Sequence, residues 1–101
     1  MAEMIHLVIA DDHALFREGL ATILAAQTDI HVVAQASSAD EAVGLVKEHL
    51  PDMVLLDIDM PGSGINAARQ IAEQFPVTRI VMLTASEDDD HLVQALKAQV
   101  A

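Results

Sequence analysis

Carboxylates stand directly after two short apolar runs, and their placement is the first indication of chemistry in this chain. Asp11 and Asp12 follow one run, and Asp57 and Asp59 follow another. Short apolar runs bounded by turn residues are typical of strands buried on both faces, which occur in parallel sheets. Open parallel sheets bind ligands beyond the carboxyl ends of their strands. We therefore expect Asp57 to lie in a crevice at that edge of a sheet.

Thr84 follows a third apolar run and adds a hydroxyl to this set of oxygen atoms. Adjacent strands lie about 4.8 Å apart, so three neighbouring strand ends would bring these groups within about 10 Å of one another. Two carboxylates about 4 Å apart repel by roughly 4 kcal/mol at an effective dielectric constant of about 20, so they require a cation or protons. Oxygen ligands suit Mg²⁺. With its charge neutralised by the metal ion, the Asp57 carboxylate can attack phosphorus, while Thr84 donates a hydrogen bond to the phosphoryl group.

The hydrophobic periodicity predicts four strands that alternate with four helices. A capping box at Ser38 and Glu41 begins the second helix, Pro51 ends it, and Pro76 ends the third. The predicted strands are 5–10, 30–36, 52–56 and 79–83, and the predicted helices are about 13–27, 39–50, 65–75 and 87–100. Such alternation predicts right-handed βαβ units and a parallel sheet, which is an α/β fold.

Apolar spacing also predicts which side of each helix faces the core. The expected core-facing residues are Phe16, Leu20, Ile23 and Leu24 in the first helix, Ala39, Ala42, Val43 and Val46 in the second, Ile65, Ala68, Ala72 and Phe75 in the third, and Leu92, Val93, Leu96 and Val100 in the fourth.

Composition narrows the class of protein. The chain has 101 residues, of which 52% are hydrophobic and 2% aromatic, so we expect one domain with an aliphatic core. It has no cysteine, which excludes disulfides and thiolate sites. A formal net charge of −11 argues against direct nucleic-acid binding by this segment. No apolar run approaches the roughly 20 residues that span a bilayer, so we expect a cytoplasmic protein that does not bind membranes.

Three segments of the chain together resemble the receiver domain of bacterial two-component response regulators. These are residues 11–20 (DDHALFREGL), 57–62 (DIDMPG) and 83–85 (LTA), and the first is similar in particular to the NarL/FixJ group. The resemblance covers essentially all of residues 1–101. It implies a flavodoxin-like doubly wound parallel sheet with strand order 2-1-3-4 for the four βα units present.

The resemblance also implies a role for each candidate residue. Asp57 would be phosphorylated by a sensor histidine kinase or a small phosphodonor. Mg²⁺ would be bound by Asp57, by Asp12 directly, by Asp11 through water, and by the backbone carbonyl of Asp59. Thr84 would be the switch hydroxyl, with Ala85 as its small neighbour. The domain would be a phosphoryl acceptor rather than an enzyme, and its parent would be a DNA-binding transcriptional regulator.

Two departures from the family pattern stand out. Relatives carry a lysine at the end of a fifth strand, followed by a fifth helix, and the sequence ends before either. Its lysines, Lys47 and Lys97, both fall inside predicted helices. We therefore expect a receiver domain truncated before the fifth βα unit, with no output domain and with impaired phosphorylation. The 61–64 loop (PGSG) is one residue shorter than in many relatives.

Three alternative interpretations stay open. His13 is expected to begin the first helix, although it could be a metal ligand. The spacing of Asp57 and Asp59 also occurs in haloacid-dehalogenase-like phosphatases, which however need a later lysine and further acids. A missing fifth strand would leave residues 79–83 as an exposed apolar edge, so the chain could be an interaction module that forms dimers or domain-swapped oligomers.

Overall fold

The computed structural model describes residues 4–83, which form a four-stranded parallel sheet in the order β2-β1-β3-β4. The elements are β1 (Ile5–Ala10), α1 (Ala14–Ala25), β2 (Ile30–Ala36), α2 (Ala39–His49), β3 (Met53–Asp57), α3 (Gly64–Gln74) and β4 (Arg79–Leu83). The predicted α/β fold and strand order are confirmed. The predicted fourth helix, Thr84, Ala85 and Lys97 lie outside the described residues.

Helices cover both faces of the sheet, as in a doubly wound fold. On one face, α1 packs Leu20 and Leu24 against residues of β1 and β3 such as Leu7 and Leu55. On the other face, α2 and α3 pack against the alternate residues of the same strands. Because β1 and β3 lie between two helical layers, the apolar runs in these strands are almost completely buried.

The strand register aligns the carboxyl ends that carry the candidate residues. Ala10, the last residue of β1, pairs with Leu56 of β3, and Asp57 pairs with Leu83 of β4. Strand β3 extends one residue beyond its predicted end, so Asp57 is its last residue. The chain therefore leaves β1 and β3 at the same edge of the sheet, with Asp11 next to Asp57.

The ends of α2 follow the prediction with one difference. The Glu41 amide donates to Ser38 Oγ at 3.2 Å, which confirms Ser38 as the N-cap. The Glu41 carboxylate accepts from the Ser37 amide at 2.7 Å, one residue earlier than a capping box requires. Leu50 ends the helix in the left-handed conformation, directly before Pro51.

The predicted buried face of α3 is only partly correct, because Ala68 and Phe75 pack against the core as partly buried residues while Ile65 and Ala72 are exposed. Ile65 is 55% exposed, and the helix instead buries Gly64, Ala67 and Ile71. A Cβ atom on Gly64 would collide with the backbone of Asp57 and Ile58, so this close contact determines how α3 is rotated about its axis. Local apolar spacing carries no information about such a contact.

The predicted faces of the other two described helices are closer to the structure. Helix α2 buries Ala39, Ala42 and Val46, as predicted. Helix α1 buries Leu20 and Leu24 but leaves Phe16 43% and Ile23 37% exposed. Within residues 4–83, no helix has the length and apolar character needed to cross a membrane.

Candidate acidic phosphoacceptor site

The ends of β1 and β3 bring three carboxylates and one imidazole into a single cluster. One ligand atom from each of Asp11, Asp12, His13 and Asp57 lies within 4.8 Å of the others. Residues 11–13 and residue 57 are far apart in sequence, so the parallel arrangement of β1 and β3 creates this proximity. The predicted convergence of Asp11, Asp12 and Asp57 is therefore observed.

Asp11 is the buried member of the cluster, with only 4% of its surface exposed. Its Oδ1 accepts a hydrogen bond from the His13 amide at 2.8 Å, which shapes the turn before α1. Its backbone carbonyl accepts from Arg17 Nη1 at 2.8 Å, while Arg17 Nε donates to Gln35 Oε1 at 3.1 Å. The guanidinium thus links the β1–α1 turn to β2 and holds the acidic pair in position.

Asp57 is partly buried, and its surroundings disfavour the ionised form. Burial raises the pKa of Asp57 above its ordinary value of 3.8, and the charges of Asp11, Asp12 and Asp59 raise this pKa further. The Asp59 amide donates a hydrogen bond to Asp57 Oδ1 at 3.2 Å, and this bond lowers the pKa of Asp57. A cation bound nearby would favour the ionised form of Asp57 against both its burial and its negatively charged neighbours.

The turn after β3 holds Asp57 close to the start of α3. The Gly64 amide donates to the Ile58 carbonyl at 3.1 Å. Ser63 caps α3 by accepting from the Asn66 amide at 3.3 Å, although its φ of 72° is unusual for a residue with a side chain. The turn is consequently tight, and the absence of a side chain at Gly64 allows it.

A cavity of about 370 Å³ opens beside these residues. Its walls combine carboxylates with apolar side chains and with the imidazole of His13. The lining residues are Asp11, His13, Phe16, Asp57, Ile58, Asp59 and Leu83. A cavity of this size can admit a small anion such as a phosphoryl group together with a hydrated cation.

His13 is the N-cap residue of α1, as predicted, but its side chain makes no capping hydrogen bond. Its Nδ1 lies 3.2 Å from Asp12 Oδ1 and 3.3 Å from Asp11 Oδ1. The imidazole is 75% exposed, so it can turn away without disturbing the core. The helix-start position is confirmed, and the alternative role as a ligand stays open.

Sequence reasoning missed Arg17 and Phe16 as parts of the site. Arg17 lies in the first turn of α1, and its position four residues after His13 turns its side chain back toward the acidic pair. Phe16 was assigned to the core, whereas it lines the cavity. Asp59 also lines the cavity, while the role of its backbone carbonyl stays a prediction.

The donor set fits a hard divalent cation. Three carboxylates supply oxygen atoms at one edge of the sheet, and the pKa of Asp57 is raised first by burial and then by the charges of Asp11, Asp12 and Asp59. Magnesium commonly takes one or two carboxylates and completes its shell with water, carbonyl or phosphate oxygens. These residues therefore satisfy the chemical requirements of a Mg²⁺ site.

Comparison with known proteins assigns the chain to a family. A profile described as the response regulator receiver domain matches residues 7–101. The chain therefore belongs to the response regulator receiver domain family of two-component systems. Solved structures place it with the LuxR/NarL type. A two-component response regulator of the LuxR family from Aurantimonas is 30% identical with a TM-score of 0.90, over 97% of this chain and 86% of that one.

Further relatives agree with this assignment. The signal receiver domain of the putative response regulator NarL from Mycobacterium tuberculosis is 36% identical with a TM-score of 0.79, over 94% of this chain and 77% of that one. The uncharacterized transcriptional regulatory protein YhcZ of Bacillus subtilis is 44% identical over 91% of this chain and 44% of its own length. The oxygen regulatory protein NreC of Staphylococcus epidermidis is 46% identical over 91% of this chain and 43% of its own length.

The chain thus spans less than half the length of these curated relatives. Receiver domains generally act as phosphoryl acceptors rather than enzymes, and the family match offers no support for the phosphatase alternative.

Proposed function

We propose that this chain is a phosphoacceptor in which Asp57 receives a phosphoryl group from a sensor histidine kinase or a small acyl phosphate. The observation that carries the proposal is the convergence of Asp11, Asp12 and Asp57 within 4.8 Å at one edge of the sheet. A carboxylate can attack phosphorus only if the approaching negative charges are compensated, and this cluster offers the place for a compensating cation.

The reaction follows from the position of Asp57. One carboxylate oxygen of Asp57 attacks the donor phosphorus, and the bond from phosphorus to the donor breaks as the leaving group takes its electron pair. An acetyl phosphate donor releases acetate, while a phosphohistidine donor releases imidazole, which takes up a proton. The product is an acyl phosphate on Asp57, and the donor is consumed once for each chain.

The remaining residues prepare Asp57 for this step. The Asp59 amide orients the carboxylate, and Arg17 holds the turn that carries the acidic pair. A Mg²⁺ ion held by Asp57, Asp12, the Asp59 carbonyl and, through water, Asp11 would supply the positive charge that this set of ligands lacks. Thr84 is proposed to hydrogen-bond the phosphoryl group, which would bias the protein between two conformations.

Intact mass after incubation with acetyl phosphate and Mg²⁺ tests the acceptor assignment. We expect the parent chain to gain the mass of one phosphoryl group and Asp57→Asn to gain none. Asp40→Asn is the matched control, because Asp40 is an exposed acid in the first turn of α2 and does not line the cavity. It should be labelled like the parent. Label that persists in Asp57→Asn would refute the assignment.

We also propose that the chain self-associates, because β4 has the properties of an edge strand that pairs with another chain. This strand forms one edge of the sheet within residues 4–83, and its residues Ile80, Val81 and Met82 are only partly buried. Apolar edges of this kind pair with other chains. We expect a dimer or larger oligomer by light scattering at micromolar concentrations. A monomeric mass for the parent chain would exclude this proposal and leave the phosphoacceptor proposal intact.

A further inference from the structure

A second group of polar side chains lies at the opposite edge of the sheet, where the strands begin. His6 is the second residue of β1 and His31 the second residue of β2, and the two are paired directly in the parallel register. Their ring centres are 5.7 Å apart, with an angle of 63° between the ring planes. Asp52 immediately precedes β3 and lies beside His6.

Asp52 determines how the His6 ring is held. Asp52 Oδ2 accepts a hydrogen bond from the His6 backbone amide at 2.8 Å, and it lies 3.2 Å from His6 Nδ1. The Asp52 amide in turn donates to the His6 carbonyl at 2.9 Å. Because an ionised carboxylate can only accept, this contact selects, for the neutral His6 ring, the tautomer with hydrogen on Nδ1, which leaves the lone pair of Nε2 free to bind a metal. Proteins orient metal-binding histidines with this carboxylate–imidazole arrangement.

The separation of the two rings suits a shared metal ion. Zinc binds histidine nitrogen at about 2.0–2.1 Å, so each ring centre lies about 3.2 Å from the ion, and a tetrahedral angle places two ring centres about 5.2 Å apart. The observed 5.7 Å exceeds this by about half an ångström. His31 is exposed, so a small rotation of its side chain can close the difference while Asp52 holds the His6 ring.

We propose that His6 and His31 form a two-imidazole site for a late transition-metal cation such as Zn²⁺, with Asp52 as the positioning residue. Water would complete the coordination shell on the exposed side. Nitrogen ligands favour Zn²⁺, Cu²⁺ and Ni²⁺ over Mg²⁺, which selects oxygen. This site is therefore chemically and spatially separate from the acidic cluster at the carboxyl edge, and it does not depend on the phosphoacceptor function.

Zinc titration of the full chain tests the site, with ring nitrogens followed by two-dimensional NMR. Millimolar Mg²⁺ is included to compete for the acidic cluster. We expect the ring nitrogens of His6 and His31 to shift together as Zn²⁺ is added. His6→Ala and His31→Ala should each weaken binding by at least tenfold, and Asp52→Ala by about tenfold through loss of ring orientation.

The backbone amide spectrum of each variant reports whether the fold is retained. Unmoved His6 and His31 rings in the parent chain would overturn the proposal, as would shifts confined to His13. Parent-like affinity in a folded His31→Ala variant would also overturn it.

Discussion

Replacing Asp57 with asparagine should stabilise the folded chain at neutral pH. The substitution removes one negative charge from a cluster in which ligand atoms lie within 4.8 Å of one another. Asparagine keeps the oxygen that accepts from the Asp59 amide, so the turn after β3 retains its hydrogen bond. The change therefore relieves burial of a charge and its repulsion from neighbours without removing a packing contact.

The size of the effect follows from Coulomb's law. Two unit charges about 4.8 Å apart repel by roughly 3.5 kcal/mol at an effective dielectric constant of about 20 and by about 0.9 kcal/mol in bulk water. Asp12 and Asp57 both contact solvent, so the lower part of this range applies. We expect Asp57→Asn to gain about 1–2 kcal/mol at pH 7, which raises Tm by roughly 5–15 °C for a domain of this size.

The direction of the pH dependence is fixed by the raised pKa of Asp57. Near pH 3, below its ordinary pKa of 3.8, Asp57 is protonated in both the folded and unfolded states, so the two proteins should differ little. As the pH rises through 3.8 and then through the raised pKa, the folded parent loses stability relative to the variant.

Thermal unfolding followed by circular dichroism between about pH 3 and pH 7, without divalent cations, measures this difference. Asp40→Asn serves as the control and should show no comparable gain at any pH. A lower or equal Tm for Asp57→Asn at pH 7, or a gain that does not diminish toward acid pH, would refute the electrostatic argument.

Three further predictions concern the same edge of the sheet. Gly64→Ala should destabilise the fold by about 2 kcal/mol or more, because its Cβ would collide with the Asp57 backbone; an unchanged urea midpoint would contradict this. Arg17→Ala should lower the free energy of unfolding by about 1 kcal/mol and weaken Mg²⁺ binding in calorimetry. Parent-like values of both quantities would show that Arg17 does not position the acidic pair. Mg²⁺ at about 100 times its Kd should stabilise the parent by roughly 2.7 kcal/mol in thermal unfolding, and Asp12→Asn should lose most of this gain.

The strands themselves could be predicted from sequence because their cause is local, whereas the strand order 2-1-3-4 was implied by the resemblance to receiver domains. The runs in β1 and β3 are continuous and apolar since both faces of these strands are covered, and turn residues mark their ends. Acids placed directly after two such runs predicted that Asp11 and Asp57 meet on the condition that β1 and β3 are neighbouring strands, and they are. The capping of α2 was likewise visible in Ser38 and Glu41.

Features that depend on contacts between distant segments could not be predicted. The rotation of α3 depends on the approach of Gly64 to the backbone of Asp57, which apolar spacing does not encode. The role of Arg17 depends on Gln35, a residue of the neighbouring strand, and on a carbonyl whose direction is set by the turn. Single-sequence patterns identify the elements and their ends, while packing decides these details.

Titration of the parent chain with Mg²⁺, followed by backbone amide NMR, determines whether the acids at the ends of β1 and β3 bind the same ion. If Asp11, Asp12 and Asp57 share one cation, amides of residues 11–13 and 57–59 should shift together and give the same Kd. Asp57→Asn should then weaken the response at residues 11–13 as well. Shifts that fall in only one of these segments, or that give two different affinities, would contradict the shared site.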